Sequence, residues 1–408
     1  MSPERIMQAG LVVALLGIVT GVFLIVIPGG ALFLVGFVSW FYGRYLPQAV
    51  TATVALAKRR AFYGEYVSGT LHLVNDQPFP LPWLACSMEW PEELKLVDAS
   101  QLVRQEAKLF FRSVHSMRGF ERLNRYLSLQ CLGRGEFTLG PMEVRVADPF
   151  GFAEGRRTVA AKTKILVYPR ILPITMEPSL FNHPFGGKAI PSWLYEDPAN
   201  FRGLRDYLPS DPFSRISWKA TAKAGKLQTK IYDASFATEI TVVLNTTTSK
   251  YVWELNPKLL ERGIVVCASL VRRCYEAGYR FGIYANSSVG TGQSVAVRVG
   301  AGEAQLKRCL ETMSRILPYQ FGKCEQVLAL AGKNTGENSR LYLVTAILTP
   351  EMVLSLDDLR RRGSRVAVIL YSGQPADVAD SKEIPVYAIA EKEEWNELEQ
   401  ITLVPFRR

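Results

Sequence analysis

The stretch ITVVLNTTTSKYVWELNPKLLERGIVVCASLVRRCYEA, Ile240–Ala277, sets the architecture of the C-terminal half. It begins as a short apolar run rich in β-branched residues, the pattern of a strand buried on both faces. From Pro257 to Ala277 the period becomes helical, with Leu259, Leu260, Val266, Leu270 and Val271 supplying apolar surface. Between the two lies a hydroxyl-rich loop, Asn245-Thr246-Thr247-Thr248-Ser249. The alternation then continues toward the C-terminus. Arg280 to Tyr284 and Val295 to Val299 read as extended, and Leu306, Cys309, Leu310, Met313, Ile316 and Leu317 as a helix face. Leu341 to Ile347 reads as a strand, Glu351 to Arg362 as a helix stopped by Gly363, and Val366 to Tyr371 as another strand. Strand alternating with helix predicts a mostly parallel α/β sheet over residues 239–408.

Toward the N-terminus, the period over 61–168 is that of half-buried strands. Leu127, Leu129 and Cys131 alternate with Tyr126, Ser128 and Gln130, as Met142, Val144 and Val146 do with Glu143 and Arg145. Turn residues at Gly64, Asn75-Asp76, Gly133, Gly135 and Gly140-Pro141 punctuate them, so a β-sandwich domain is expected. Proline-rich Pro169 to Pro198 reads as a linker, within a linker and basic segment spanning 169–238.

The first 46 residues differ from all of this. Ile6 to Gly43 contains no Asp, Glu, Lys or Arg and is broken by Pro28-Gly29-Gly30, which predicts a transmembrane helical hairpin over 1–46, turning there, with the lipid bilayer as its partner. Arg5 precedes the run and Arg44, Lys58, Arg59 and Arg60 come after it, placing both ends and the soluble domains in the cytoplasm by the positive-inside bias. Trp40, Tyr42 and Tyr45 are expected as interfacial anchors. Gly17 and Gly21 form a GxxxG, read as a seam between the two hairpin helices or, alternatively, as a homo-oligomer contact.

The 408 residues carry a net charge of +10, and much of the local excess lies in FRGLRDYLPSDPFSRISWKATAKAGKLQTKIYD, Phe201–Asp233. From Arg202 to Lys230, Arg202, Arg205, Arg215, Lys219, Lys223, Lys226 and Lys230 stand against Asp206 and Asp211, and Tyr207, Phe213, Trp218 and Tyr232 are interleaved through the segment. One reading is an internally paired clamp between domains with Trp218 buried. The other is an exposed surface for an acidic partner or anionic ligand; a nucleic-acid groove shares this composition but is not the expected partner.

This segment resembles the signature of the domain of unknown function 58 family, as do Arg134 to Pro141 (RGEFTLGP) and Asp148 to Gly151 (DPFG), so the resemblance covers nearly the whole chain. Ser210 stands where that family usually has Gly, and Ser217 where it usually has Asp. The resemblance implies a membrane-anchored protein with a von Willebrand factor A-like α/β domain, often encoded beside a MoxR-type AAA+ ATPase. Such a domain holds a divalent cation through a DxSxS loop, a Thr and a later Asp. Here the loop reads NxTxS, with Asn245, Thr247 and Ser249 at the ligand positions, and Leu343-Val344-Thr345-Ala346 offers no Asp. Neutral oxygens replace the anions that magnesium prefers, so a degenerate site without metal is expected.

No other cofactor or catalytic constellation is expected. Gly300-Ala301-Gly302 has Gln305 at the position where a dinucleotide fingerprint needs its last glycine. Cys86, Cys131, Cys267, Cys274, Cys309 and Cys324 show no CxxC spacing, and His72, His115 and His183 show no dyad at local spacing with Cys or Ser. The expectation is a non-enzymatic membrane-tethered scaffold or adaptor; its rivals are an anionic-ligand binder and an enzyme assembled from remote residues such as His115 or His183.

Overall fold

A computed structural model describes residues 2–175, 196–209, 211, 213–234, 239–249, 256–289, 293–318, 321–336, 339–372, 383–389 and 398–406. The chain divides into two compact units, Met1–Arg170 and Ile171–Arg408.

In the first unit, two apolar helices, Pro3–Thr20 and Phe23–Tyr45, are each long enough to cross a hydrocarbon core by length and composition. They form a hairpin, but its turn is not at Pro28. Gly21, in the left-handed region at φ 72°, caps the first helix, and Pro28 lies inside the second. Pro28, in the second turn, gives up only its own bond to the Leu24 carbonyl, whereas Gly29 is needed for contact between the helices. A Cβ on Gly29 would stand 2.4 Å from the Ala14 nitrogen, on Gly10 2.3 Å from that of Phe33, and on Gly36 2.5 Å from that of Met7. Glycines seven apart on both helices thus let the two backbones touch. Gly17 joins this seam against Val26, whereas Gly21 meets nothing and makes the turn.

The second helix runs into a β-rich domain rather than ending at a linker. Leu46 and Tyr42 belong to its core, and Val50–Leu56 pairs antiparallel with Tyr66–Asn75, so the domain begins well before residue 61. Tyr42 is therefore a core residue and not an interfacial anchor; its hydroxyl donates to the Pro80 carbonyl at 3.0 Å. A four-stranded and a five-stranded antiparallel sheet contribute to one apolar core, with Leu127, Leu129, Cys131, Met142, Val144 and Val146 pointing inward as their period requires.

The second unit is built on an eight-stranded sheet. In spatial order its strands are Ile174–Thr175, Ile401–Pro405, Val386–Ile389, Arg365–Leu370, Arg340–Thr345, Glu239–Leu244, Arg280–Val289 and Gln293–Gly300. From Val386–Ile389 to Gln293–Gly300 this is the 3-2-1-4-5-6 order of doubly wound sheets, with Gln293–Gly300 antiparallel to its neighbour. Helices Pro257–Glu276, Glu303–Ser314, Cys324–Asn334 and Pro350–Arg361 supply the connections. The helix Cys324–Asn334 and the strands Val386–Ile389 and Ile401–Pro405 have no counterpart in the sequence reading, because each is too short for its apolar residues to establish a period. The proposed linker is only partly one: Ile174–Thr175 is an edge strand, and Glu196–Asp206 pairs with Gln228–Ala234 in a separate two-stranded ribbon. Most of the linker, and His183, lie outside the described residues.

Candidate functional site

A doubly wound sheet binds ligands at the carboxyl ends of its strands, where the order of connection reverses. Here that point lies between Glu239–Leu244 and Arg340–Thr345, and Asn245 and Thr345 face each other across it. The Asn245 amide nitrogen donates to Thr345 Oγ1 at 3.0 Å, while its Oδ1 accepts from the Thr247 backbone N–H at 3.1 Å and from Asn286 Nδ2 at 2.9 Å. Its main chain is bonded too, donating to Val344 O and accepting from the Tyr371 hydroxyl.

Asn286 is the hub of this cluster and was missed by sequence reading. It lies toward the end of the Arg280–Val289 strand, next to the loop, with Nδ2 reaching Thr247 Oγ1 at 3.3 Å and Oδ1 accepting from Thr246 N at 2.6 Å and Thr246 Oγ1 at 3.1 Å. The only available signal was a polar Asn-Ser-Ser run at the end of an otherwise apolar strand. Asn245, Asn286 and Thr345 are all fully buried, and Thr345 rather than Ala346 is the residue that meets Asn245. Thr248 accepts from the Asn256 N–H at 3.0 Å, and Asn256 in turn caps the helix Pro257–Glu276.

This donor set does not fit a divalent cation. Both amide groups already have protein partners, no carboxylate among the described residues enters the cluster, and Met352 Sδ lies 3.9 Å from Asn245 Nδ2. Among the described residues, no group of three or more His, Cys, Asp and Glu could hold a metal ion. At the glycine loop, which the strand register places at the opposite, amino end of the sheet, the Gln305 side chain donates to Phe281 O at 2.9 Å and Arg298 O at 2.7 Å, filling the space by the loop.

The basic segment separates into a paired base and an open tip. Arg205 donates to Asp211 at 2.6 Å, and the Leu208 N–H and Thr229 hydroxyl reach the other carboxylate oxygen at 3.0 and 3.4 Å. Burial of Asp211 acts to raise its pKa, but these hydrogen bonds and the Arg205 charge outweigh it and hold the carboxyl below its ordinary range. Tyr207 and Phe213 rings lie 5.7 Å apart, and Ile216 of the same segment is buried. Trp218, by contrast, is 67% exposed, so it is no buried clamp. It opens a seven-residue helix, Trp218–Ala224, none of whose residues is buried. Lys219, Lys223 and Lys226 are exposed, Lys230 is half-buried, and none forms an ion pair among the described residues. The side chains of Arg202 and Arg215 lie outside the described residues.

One local dyad does exist, contrary to the sequence reading. Ser113 and His115 share a face of one strand through its two-residue period, with Ser113 Oγ 2.5 Å from His115 Nε2. Burial and then the Arg125 charge hold the imidazole below its ordinary pKa. Ser113 is itself buried, and among the described residues nothing hydrogen-bonds the other ring nitrogen to orient it. The cysteines are all buried free thiols, and burial pushes those of Cys86, Cys274 and Cys309 up to about 12.

No protein-family model matches the chain. Over 380 residues, 87% of this chain and 88% of the relative, it is 22% identical to the uncharacterized protein YeaD of Bacillus subtilis (strain 168). Among solved structures, the CARDB domain of the PF1109 protein from Pyrococcus furiosus is 10% identical, covering 29% of this chain and 91% of that one, with a TM-score of 0.20. A non-cellulosomal cohesin from Archaeoglobus fulgidus is 12% identical with the same coverage and a TM-score of 0.21. Scores this low assign no fold to either unit.

Proposed function

We propose that this chain is a membrane-tethered scaffold or adaptor of the domain of unknown function 58 family, presenting a degenerate von Willebrand factor A-like domain to a cytoplasmic partner. The observation that carries the reading is the closed, uncharged Asn245-Asn286-Thr345 cluster at the ligand-binding point of the sheet. A crevice filled by mutually bonded amides and hydroxyls rigidifies its loops without an ion, which suits recognition by surface rather than chemistry at a metal. The strand order supports the von Willebrand-like assignment, and the two N-terminal apolar helices support the tether. Basic residues flanking the hairpin, Arg5, Arg44 and Lys58 to Arg60, favour a cytoplasmic orientation.

The partner class we favour is a MoxR-type AAA+ ATPase, on the strength of the family resemblance. Crosslinking in cells, affinity purification from membranes and mass spectrometry test it. Enrichment of such an ATPase is expected; a well-folded bait that recovers none would sink the partner assignment. Orientation is checked at an exposed strand position: a cysteine introduced at Ser68 should react with an impermeant thiol reagent only after the cells are opened, the native cysteines being buried.

A second reading is favoured by the exposed Trp218 beside Lys219, Lys223 and Lys226: this tip captures an acidic surface or anionic ligand. It is compatible with the first, the tip being the place where a scaffold meets its partner.

A further inference from the structure

The first unit has no flexible stalk between its apolar helices and its β-rich domain. Ser39, six residues before the second helix ends, is fully buried and donates to Asp148 Oδ2 at 2.6 Å. Asp148 also accepts from the Phe150 N–H at 3.1 Å and from the Ala153 N–H at 2.7 Å, which shapes the loop over 148–153. Further contacts bring two more loops to the same end of the domain. Gln77 Nε2 donates to the Leu46 carbonyl, Asn75 Nδ2 to the carbonyls of Phe79 and Arg118, and the Phe120 N–H to the Gln77 carbonyl at 2.9 Å.

Each of these loops holds large apolar side chains out of the core. Phe79 is 43% exposed, Phe120 69%, Phe150 47% and Phe152 45%, and the Phe79 ring lies 5.2 Å from Phe41 of the helix itself. Four phenylalanines at least 43% exposed in the loops where an apolar helix enters a domain leave much of their apolar surface in water unless a further surface covers it.

The helix lengths say what covers them. Because the domain reaches up to Val38 and Ser39, only residues 23–37 of the second helix stand clear of it, about 22 Å, against a hydrocarbon thickness of about 30 Å. Gly36 touches the backbone of Met7, so Glu4 and Arg5 of the first helix lie near the same level as Ser39. That level is where the charges begin. Loops surrounding the helix there lie in the interfacial zone, where aromatic rings are at home and where exposed Arg44 and Arg118 can reach phosphates.

We infer that Phe79, Phe120, Phe150 and Phe152 form a collar that inserts into the headgroup region of the bilayer and seats the β-rich domain on the membrane in one orientation. This inference rests on the membrane-spanning reading of the hairpin. Its consequence is that the first unit acts as a rigid plinth, and that the chain's reach from the membrane is set by the residues beyond Arg170.

The full chain, carrying one fluorescent thiol label at a time, is reconstituted into nanodiscs of phosphatidylcholine and phosphatidylglycerol with nitroxide lipids quenching near the headgroup or near the bilayer centre. Buried native cysteines leave the introduced one as the reactive thiol. Labels go to Ile27, on the exposed helix face, to Phe150 and Phe120 in the collar, and to Glu106 in an exposed hairpin; Phe152→Cys replaces any collar variant that does not fold. Loss of fluorescence at Ile27 with central nitroxide, loss at Phe150 and Phe120 with headgroup-proximal nitroxide, and none at Glu106 is the expected result. Quenching at Ile27 without quenching at either collar site overturns the collar and leaves the rings to a protein partner. No quenching at Ile27 overturns the membrane-spanning reading and the collar with it.

Discussion

The Asn245 loop and the Lys219–Lys226 tip are both polar in sequence and lie in the same unit, yet they are opposites in structure. At the first, three fully buried side chains, Asn245, Asn286 and Thr345, bond one another and carry no charge. At the second, an aromatic ring and three lysines face solvent with no ion pair among the described residues. Burying an unpaired polar group costs more than its bond returns, so the first arrangement exists only because it is complete. Water satisfies the second at no such cost, so nothing in the fold requires it. A polar cluster whose partners are all internal is architecture; one whose partners are missing is available for recognition.

The contrast breaks first at Asn286. Asn286→Ala should strip partners from Asn245, Thr246 and Thr247 together and destabilise the second unit by about 3 kcal/mol, read by chemical denaturation in detergent. A loss under about 1 kcal/mol would mean that the cluster is open to water and that the crevice is a candidate ligand site after all.

Asp211→Asn probes the paired base of the tip. Its Arg205 partner is 40% exposed, so solvent screening limits the expected loss to about 1 kcal/mol. The folded carboxyl has a pKa below its unfolded value of about 3.9, so its contribution is complete above that pH and fades as pH falls through the folded pKa. Wild-type protein should lose this increment on acidification and Asp211→Asn should not; parallel acid titrations of the two that coincide would reject the pairing.

Trp218→Ala should change stability by no more than about 0.5 kcal/mol, because the ring is mostly in water. A melting temperature that collapses would restore the clamp. Lys219, Lys223 and Lys226 to Ala together should leave folding untouched and slow capture of an acidic partner, with a rate that depends on salt. The smallest effect is expected from magnesium: adding it should leave the wild-type melting temperature where it is, and a rise that disappears in Ser249→Ala would make the loop a metal site.

Periodicity made the main elements legible. The helix expected from Pro257 to Ala277 runs Pro257–Glu276, and the strand expected from Val366 to Tyr371 runs Arg365–Leu370, because buried elements must repeat their apolar residues with the period of the backbone. That Asn245-Thr246-Thr247-Thr248-Ser249 holds no carboxylate was equally legible, since charge belongs to the residue type. The hairpin's turn was not: Pro28-Gly29-Gly30 looks like a break, but helix contact required Gly29 and left Gly21 to turn.

What the sequence by itself determined is therefore local: which segments are apolar, at what period, and which charges are present. What only the tertiary structure decided is who meets whom. Asn286 lies 41 positions from Asn245, Asp148 lies 109 from Ser39, and Ser113 meets His115 only once the strand's pleat is formed. The exposure of Trp218 was likewise undecidable from its chemistry, because a tryptophan's apolar body favours burial wherever a neighbour exists and the sequence does not say whether one does.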